Sequence, residues 1–141
     1  MTFTVWGIPQ PKGSTRAFNI PGRRFPVVTS DNPKLKAWEK SGRTMAQQAQ
    51  SAYGAIVGPV QVSLEFVFPR PKSLPKRVTA HVKRPDVDKL VRAMLDSMTG
   101  ILYQDDSFVV LVFASKRHCA PDEDPHVAVK VDEAAPRRGK A

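Results

Sequence analysis

A chain of 141 residues with 22 Lys+Arg against 13 Asp+Glu and a formal charge of +9 fits one basic domain, long enough to bury roughly two-thirds of its unfolded surface, with a polyanion such as nucleic acid favoured over an acidic small molecule as its partner. A single cysteine, Cys119, excludes an intrachain disulfide, and the three histidines lack zinc-site spacing, although His118 directly precedes Cys119. Without a basic-then-apolar leader or a run of ~18 apolar residues, the expectation is a soluble, cytoplasmic protein with no membrane partner.

Thr2 to Gly7 alternates polar and apolar residues, with Phe3 and Val5 on one face, and predicts a short strand. Ile8 to Ser30 is punctuated by Pro and Gly and carries Lys12, Arg16, Arg23 and Arg24 without an acid, which reads as an irregular basic loop. Asp31-Asn32-Pro33 is a helix-start signature. Leu35, Trp38, Met45, Ala49, Ala52 and Tyr53 follow at near-helical spacing, predicting a helix from Pro33 to Tyr53 with Trp38 as a core anchor. Within it Gly42 is a weak point of about 1 kcal/mol relative to Ala.

Val60 to Phe68 predicts a strand with Val60, Val62, Leu64, Phe66 and Phe68 on its buried face. Residues 69 to 85 hold Arg70, Lys72, Lys76, Arg77, Lys83 and Arg84 and no acid. Such a run is either a solvated loop or a phosphate-binding one, and its lead into an acidic cluster favours the latter. Val87, Leu90, Val91, Met94, Leu95 and Met98 then show the i, i+3, i+4, i+7 pattern of an amphipathic helix, with Asp86 before it and Gly100 after it as start and stop. The nearly continuous apolar run from Phe108 to Ser115 predicts a central strand buried on both faces. His126 to Asp132 alternates as a last strand, and Glu133 to Ala141 reads as a flexible basic tail. The chain therefore divides into one domain, 1–132, and a tail, 133–141. Its element order predicts an α/β or α+β fold, a mixed β-sheet with helices packed on it.

Five of the 13 acids, Asp86, Asp88, Asp96, Asp105 and Asp106, fall between positions 86 and 106. Two readings compete. In the structural one Asp86 caps the helix, Asp88 favours its positive end, Asp88-Arg92-Asp96 forms an i, i+4, i+8 ladder of surface pairs, and Asp105-Asp106 serve a turn. In the chemical one Asp86, Asp88 and Asp106 converge on a hard cation, since Mg²⁺ needs few carboxylates and completes its octahedron with water and phosphate oxygens. The flanking basic residues would then hold a phosphodiester backbone.

The run RPDVDKLVRAMLDSMTGILYQDDS, 84 to 107, resembles the signature of RusA-type Holliday-junction resolvases, a family common in bacteriophages and prophages. Its usual form is close to Pro-Asp-hydrophobic-Asp-Asn-Leu, a Lys four residues after the second Asp, Leu-Asp-Ala-Leu-(Asn)-Gly and Asp-Asp-Ser/Ala. FPRPKS and GIPQPKGSTR also look like family features, so the resemblance spans most of Phe3 to Val131. It implies a Mg²⁺-dependent homodimeric endodeoxyribonuclease that makes paired nicks in four-way DNA during recombination and repair, with Mn²⁺ a plausible substitute metal. The family's essential acids fall on Asp86, Asp88 and Asp106, with Asp105 of second rank.

Two positions depart from the pattern: Lys89 stands where Asn is usual, and Arg92 where the family generally has its functional Lys. Arg stabilises charge on a phosphate but, with a pKa above ~12, does not readily donate a proton. Lys89 offers an ammonium about 100° around the helix. Lys12, Arg16, Arg70, Lys72, Lys76, Arg77, Lys83 and Arg84 are the expected DNA contacts. The competing function is a non-catalytic branched-DNA or RNA-binding module, which needs Lys and Arg but no carboxylate triad.

Overall fold

The computed structural model describes residues 1–13, 15–30 and 32–135, with the backbone alone for 15–18 and 27–30. Strand β1 (Thr2–Trp6) is followed by a ribbon of β2 (Thr15–Phe18) and β3 (Val27–Ser30), helix α1 (Leu35–Tyr53) and strand β4 (Val60–Phe68). Helix α2 (Val87–Met98), a 3₁₀ turn (Asp106–Phe108), β5 (Val109–His118) and β6 (His126–Glu133) complete it. The main sheet runs β1-β6-β4-β5. β6 is antiparallel to both β1 and β4, while β4 and β5 are parallel. Parallel neighbours need a crossover between their ends, and α2 lies within it. The result is the expected mixed sheet with two helices, an α+β fold.

Period-two alternation builds the core. Val60, Val62, Leu64, Phe66 and Phe68 of β4 are buried, and Val62, Leu64 and Phe66 stand level with Val131, Val129 and Val127 of β6. Leu35, Trp38, Ala46 and Ala49 of α1 and Leu90, Met94 and Met98 of α2 pack into the same cluster. Each fully buried large apolar side chain contributes roughly 1.5–3 kcal/mol relative to exposure. The helices therefore cover one face of the sheet, and the other carries Thr2, Thr4, Ser63, Glu65 and Lys130, as the strand registers require.

Three expectations are corrected. Ile8 to Ser30 is not wholly irregular, because the β2–β3 ribbon lies within it. β5 is an edge strand, not a central one, because β6 takes the place between β1 and β4; Val110 and Phe113 are each 60% exposed. An all-apolar strand indicates that its surface is to be covered, and not by which element. Gly42, expected to weaken α1, instead allows the two helices to meet. A Cβ there would lie 3.0 Å from Ser97 Cβ and 3.1 Å from Ser97 Oγ on α2.

Close packing against Ser97 therefore opposes helix propensity at this position. Gly42→Ala is expected to destabilise the fold by about 1–3 kcal/mol, the scale of overpacking, rather than stabilise it by about 1 kcal/mol. Urea denaturation measures the sign. A higher midpoint in the variant would show that the helices separate at no cost.

The remaining boundaries lie close to expectation. β4 and α2 match to the residue, whereas α1 starts at Leu35 behind Lys34, whose N–H donates to Asn32 Oδ1 at 3.1 Å. Asp31 of the start signature lies outside the described residues. Glu133 still belongs to β6, and residues 136–141 of the expected tail are likewise outside the description.

Candidate active site

The acidic cluster is organised by α2. Its 12 residues span about 18 Å, with Asp86 at the N-cap position and Asp88 in the first turn. Capping is the ordinary reason for an Asp at the first of these, yet the Asp86 side chain makes no cap hydrogen bond. The surface ladder is absent too: among the described residues Asp88 has no ion pair with Arg92, and Asp96 pairs with Lys12 at 3.0 Å. Asp86 and Asp88 are exposed carboxylates without a cationic partner among the described residues. Their oxygen donors suit a hard divalent cation that keeps several waters.

Asp106 stands at the opposite end of the helix. Thr99, just past the last turn of α2, donates from Oγ1 to Asp106 Oδ1. Thr99 Oγ1 also contacts the Leu95 carbonyl at 2.8 Å, as does the buried Tyr103 hydroxyl at 3.1 Å. Asp105 accepts from Asp106 N–H at 2.7 Å and from Ser107 Oγ at 3.2 Å, so it caps the 3₁₀ turn. Convergence of Asp86, Asp88 and Asp106 within one chain is thus not what the fold produces. Among the described residues no group of three His, Cys, Asp or Glu side chains is close enough to hold a metal ion. The physical reason is helix length: acids flanking a three-turn helix are held apart by it.

The basic residues divide into two kinds. Lys72, Lys76, Arg77, Lys83, Arg84, Lys89 and Arg92 are exposed. Arg70 is not free in the same sense, since its guanidinium donates to the carbonyls of Cys119 (2.8 Å), Pro75 (3.0 Å) and Val78 (2.8 Å). It braces the loop that displays its neighbours. Lys12 pairs with Asp96 and, at 3.3 Å, with Glu39. The hydrogen bond to Asp96, outweighing desolvation, holds its ammonium above the ordinary lysine range. The Arg16 side chain lies outside the described residues.

A cleft of about 500 Å³ opens beside Asp86, lined by Ile8, Pro9, Lys12, Arg84 and Lys89 among others. The N-terminal loop forms one wall, tied to α2 by a 3.0 Å bond from Lys12 N–H to the Lys89 carbonyl. One residue that sequence reasoning missed also reaches this region. Lys116 of β5 donates to the carbonyls of Lys83 and Pro85.

A family model described as "Endodeoxyribonuclease RusA" matches residues 8–132. The chain belongs to the RusA endodeoxyribonuclease family. The match takes in both ends of α2, the basic loop and strands β4, β5 and β6 as far as residue 132, so the RusA-type resemblance of the 84 to 107 run extends over most of the chain. RusA proteins are nucleases of the Holliday-junction resolvase class and act on branched DNA. A relative from Bacillus subtilis (strain 168), named "Uncharacterized protein YqaN", is 30% identical over 141 aligned residues, covering 93% of this chain and 94% of its own. Among the described residues, no helix is long and apolar enough to cross a membrane.

The exposed loop cations are expected to carry electrostatic DNA affinity. Replacing Lys76 and Arg77 by Ala should lower the slope of log K against log salt for junction binding by about 1.8, at roughly 0.9 for each phosphate that is no longer neutralised. Arg70→Ala should instead lower the melting temperature, because three carbonyls are deprived of their donor. A salt titration of all three proteins separates the effects, and an unchanged slope in the double variant would assign the loop to solvent.

Proposed function

We propose that this RusA-family chain is a Mg²⁺-dependent, structure-selective endodeoxyribonuclease that resolves four-way DNA junctions by paired phosphodiester hydrolysis, serving recombination and repair. The observation that carries the reading is the pair Asp86 and Asp88, two exposed carboxylates at the mouth of α2 with neither a capping bond nor a cationic partner among the described residues. Capping by the first and ion pairing by the second are both unrealised. Asp86 and Asp88 would hold the metal, which when bound supplies charge neutralisation at the scissile phosphate and a water of lowered pKa. Mn²⁺ offers the same preference for oxygen ligands.

The remaining roles follow from placement. Lys72, Lys76, Arg77, Lys83 and Arg84 grip the phosphodiester backbone and set its register without reading sequence. Arg92, one turn beyond Asp88, shares that residue's helix face, whereas Lys89 lines the cleft beside Asp86. Arg92 stabilises negative charge on the scissile phosphate. Arg92→Ala should therefore reduce single-turnover cleavage by about 10²-fold, the scale of removing one transition-state donor, while Arg92→Lys keeps most activity and Lys89→Ala costs less. The reverse ranking would move the function to Lys89.

A homodimer completes the acid set. Val87, Val91 and Leu95 form an i, i+4, i+8 stripe along the edge of the buried face of α2, and Val87 is 36% exposed. Two copies of α2 packed antiparallel on this stripe, about a two-fold axis, bring the N-terminal end of one helix beside the C-terminal end of the other. Each site then draws Asp86 and Asp88 from one protomer and Asp106 from its partner. The same two-fold symmetry matches the paired cuts of a four-way junction.

The decisive experiment is incubation of the protein with a synthetic four-way junction, with and without Mg²⁺, and mapping of the nicks. Symmetric nicks on opposed strands in Mg²⁺ alone are expected. Binding without cleavage in Mg²⁺ or Mn²⁺ would leave a branched-DNA-binding module.

A further inference from the structure

Lys116 occupies an unusual place for a lysine. In the β4–β5 register it stands level with Phe66, so β5 turns Val112, Ala114 and Lys116 to the same side as the buried row of β4. The Lys116 residue is half-buried there, and its N–H groups need acceptors wherever they leave water. Among the described residues it has no acidic partner; its donors meet the Lys83 carbonyl at 2.7 Å and the Pro85 carbonyl at 2.9 Å. These two acceptors flank Arg84, and the second belongs to the residue immediately before Asp86.

The rest of this loop is attached to the same strand. His118 N–H donates to the Thr79 carbonyl at 2.8 Å, and Ala80 bridges to Arg117. After those two backbone attachments the chain crosses residues 81 to 85 without regular structure before entering α2. Within that interval the His81 ring packs against Phe68 and His118, with centroids 4.6 Å apart in each case, and Lys116 holds the part next to Asp86. Desolvation, followed by the nearby charges of His118 and Lys116, holds the His81 imidazole below its usual range.

We infer that Lys116 is a positioning residue for the metal-binding carboxylates: by clamping the carbonyls of Lys83 and Pro85 to the end of β5, its ammonium sets where the Asp86 side chain stands. The inference rests on the reading of Asp86 as a metal ligand. Groups that orient metal ligands typically change metal affinity by about 10- to 100-fold when removed. Lys116 acts on Asp86 through the backbone, so its removal should appear in metal affinity first and in turnover only when metal is limiting.

The test is Mn²⁺ binding to the DNA-free protein, followed by electron paramagnetic resonance, for wild type, Asp86→Asn, Lys116→Met and Lys116→Gln. Asp86→Asn is expected to lose binding; if it binds as wild type does, the assignment of the metal site fails, independently of Lys116. Given that loss, Lys116→Met is expected to weaken Mn²⁺ by about 10- to 100-fold and to recover most of its cleavage rate at saturating metal. Lys116→Gln, which keeps a neutral donor, should shift in the same direction by less, and it provides the reading if Lys116→Met does not fold. Wild-type Mn²⁺ affinity in the folded Lys116 variants, or a cleavage rate that stays low at saturating metal, would overturn the assignment.

Discussion

Asp88→Asn is expected to abolish junction cleavage while leaving junction binding nearly unchanged. The substitution removes one negative charge and one strong oxygen donor from a pair of carboxylates, which weakens a hard cation far more than a neutral amide can offset. DNA affinity comes from other groups, the exposed Lys and Arg side chains of the 69 to 85 loop, and releases the same counterions in the variant. Stability should also hold, because Asp88 makes no ion pair with any described residue that Asn would break, and the removal of one charge near the helix mouth is a matter of a few tenths of a kcal/mol. Single-turnover nicking of a labelled junction in Mg²⁺, set beside a gel-shift titration in Ca²⁺, measures both halves. Near wild-type nicking would falsify the role of Asp88 in the metal site.

Mixing two dead variants should restore cleavage. If each site takes Asp86 and Asp88 from one protomer and Asp106 from the other, a dimer of an Asp88→Asn chain with an Asp106→Asn chain concentrates both lesions in one site and leaves the second intact. Random co-assembly makes half the dimers mixed, each with one working site of two, so about a quarter of the wild-type nicking is expected from the unfractionated mixture and about half from the purified mixed dimer. The product should be a single nick rather than a resolved junction, because paired cuts need both sites. Co-expression of differently tagged chains, tandem purification of the mixed dimer and product analysis on a denaturing gel provide the measurement. A mixed dimer as silent as its two parents would place all three acids of a site in one chain, which the span of α2 makes difficult without unwinding the helix.

Legibility in the sequence tracked how local the cause was. The limits of α2 and β4 are written in the apolar period, 3.6 for Val87 to Met98 and 2 for Val60 to Phe68, and both elements end where that period ends. The candidate acids Asp86, Asp88 and Asp106 stand within one short motif, so the proposal of a metal site could be framed from the sequence. Partners brought from afar were not. Lys12 and Arg70 read as free cations until the fold delivered Asp96 and Glu39 to the first and three carbonyls to the second. Lys116 had a faint signal, a charged residue at the end of an apolar strand with the parity of its inward side, but the carbonyls that explain it lie 33 and 31 positions away.

What could be read from residue order alone was therefore the existence and type of the main strands and helices, because periodicity and capping act over a few residues. Tertiary structure alone decided that β6 rather than β5 lies inside the sheet, that Gly42 is a contact point between helices, and that Asp106 sits at the far end of α2 from Asp86 and Asp88. Strand order follows from which apolar faces cover one another across the whole chain. The distance between two acids in one motif follows from the rigid helix between them, and neither is encoded at any single position.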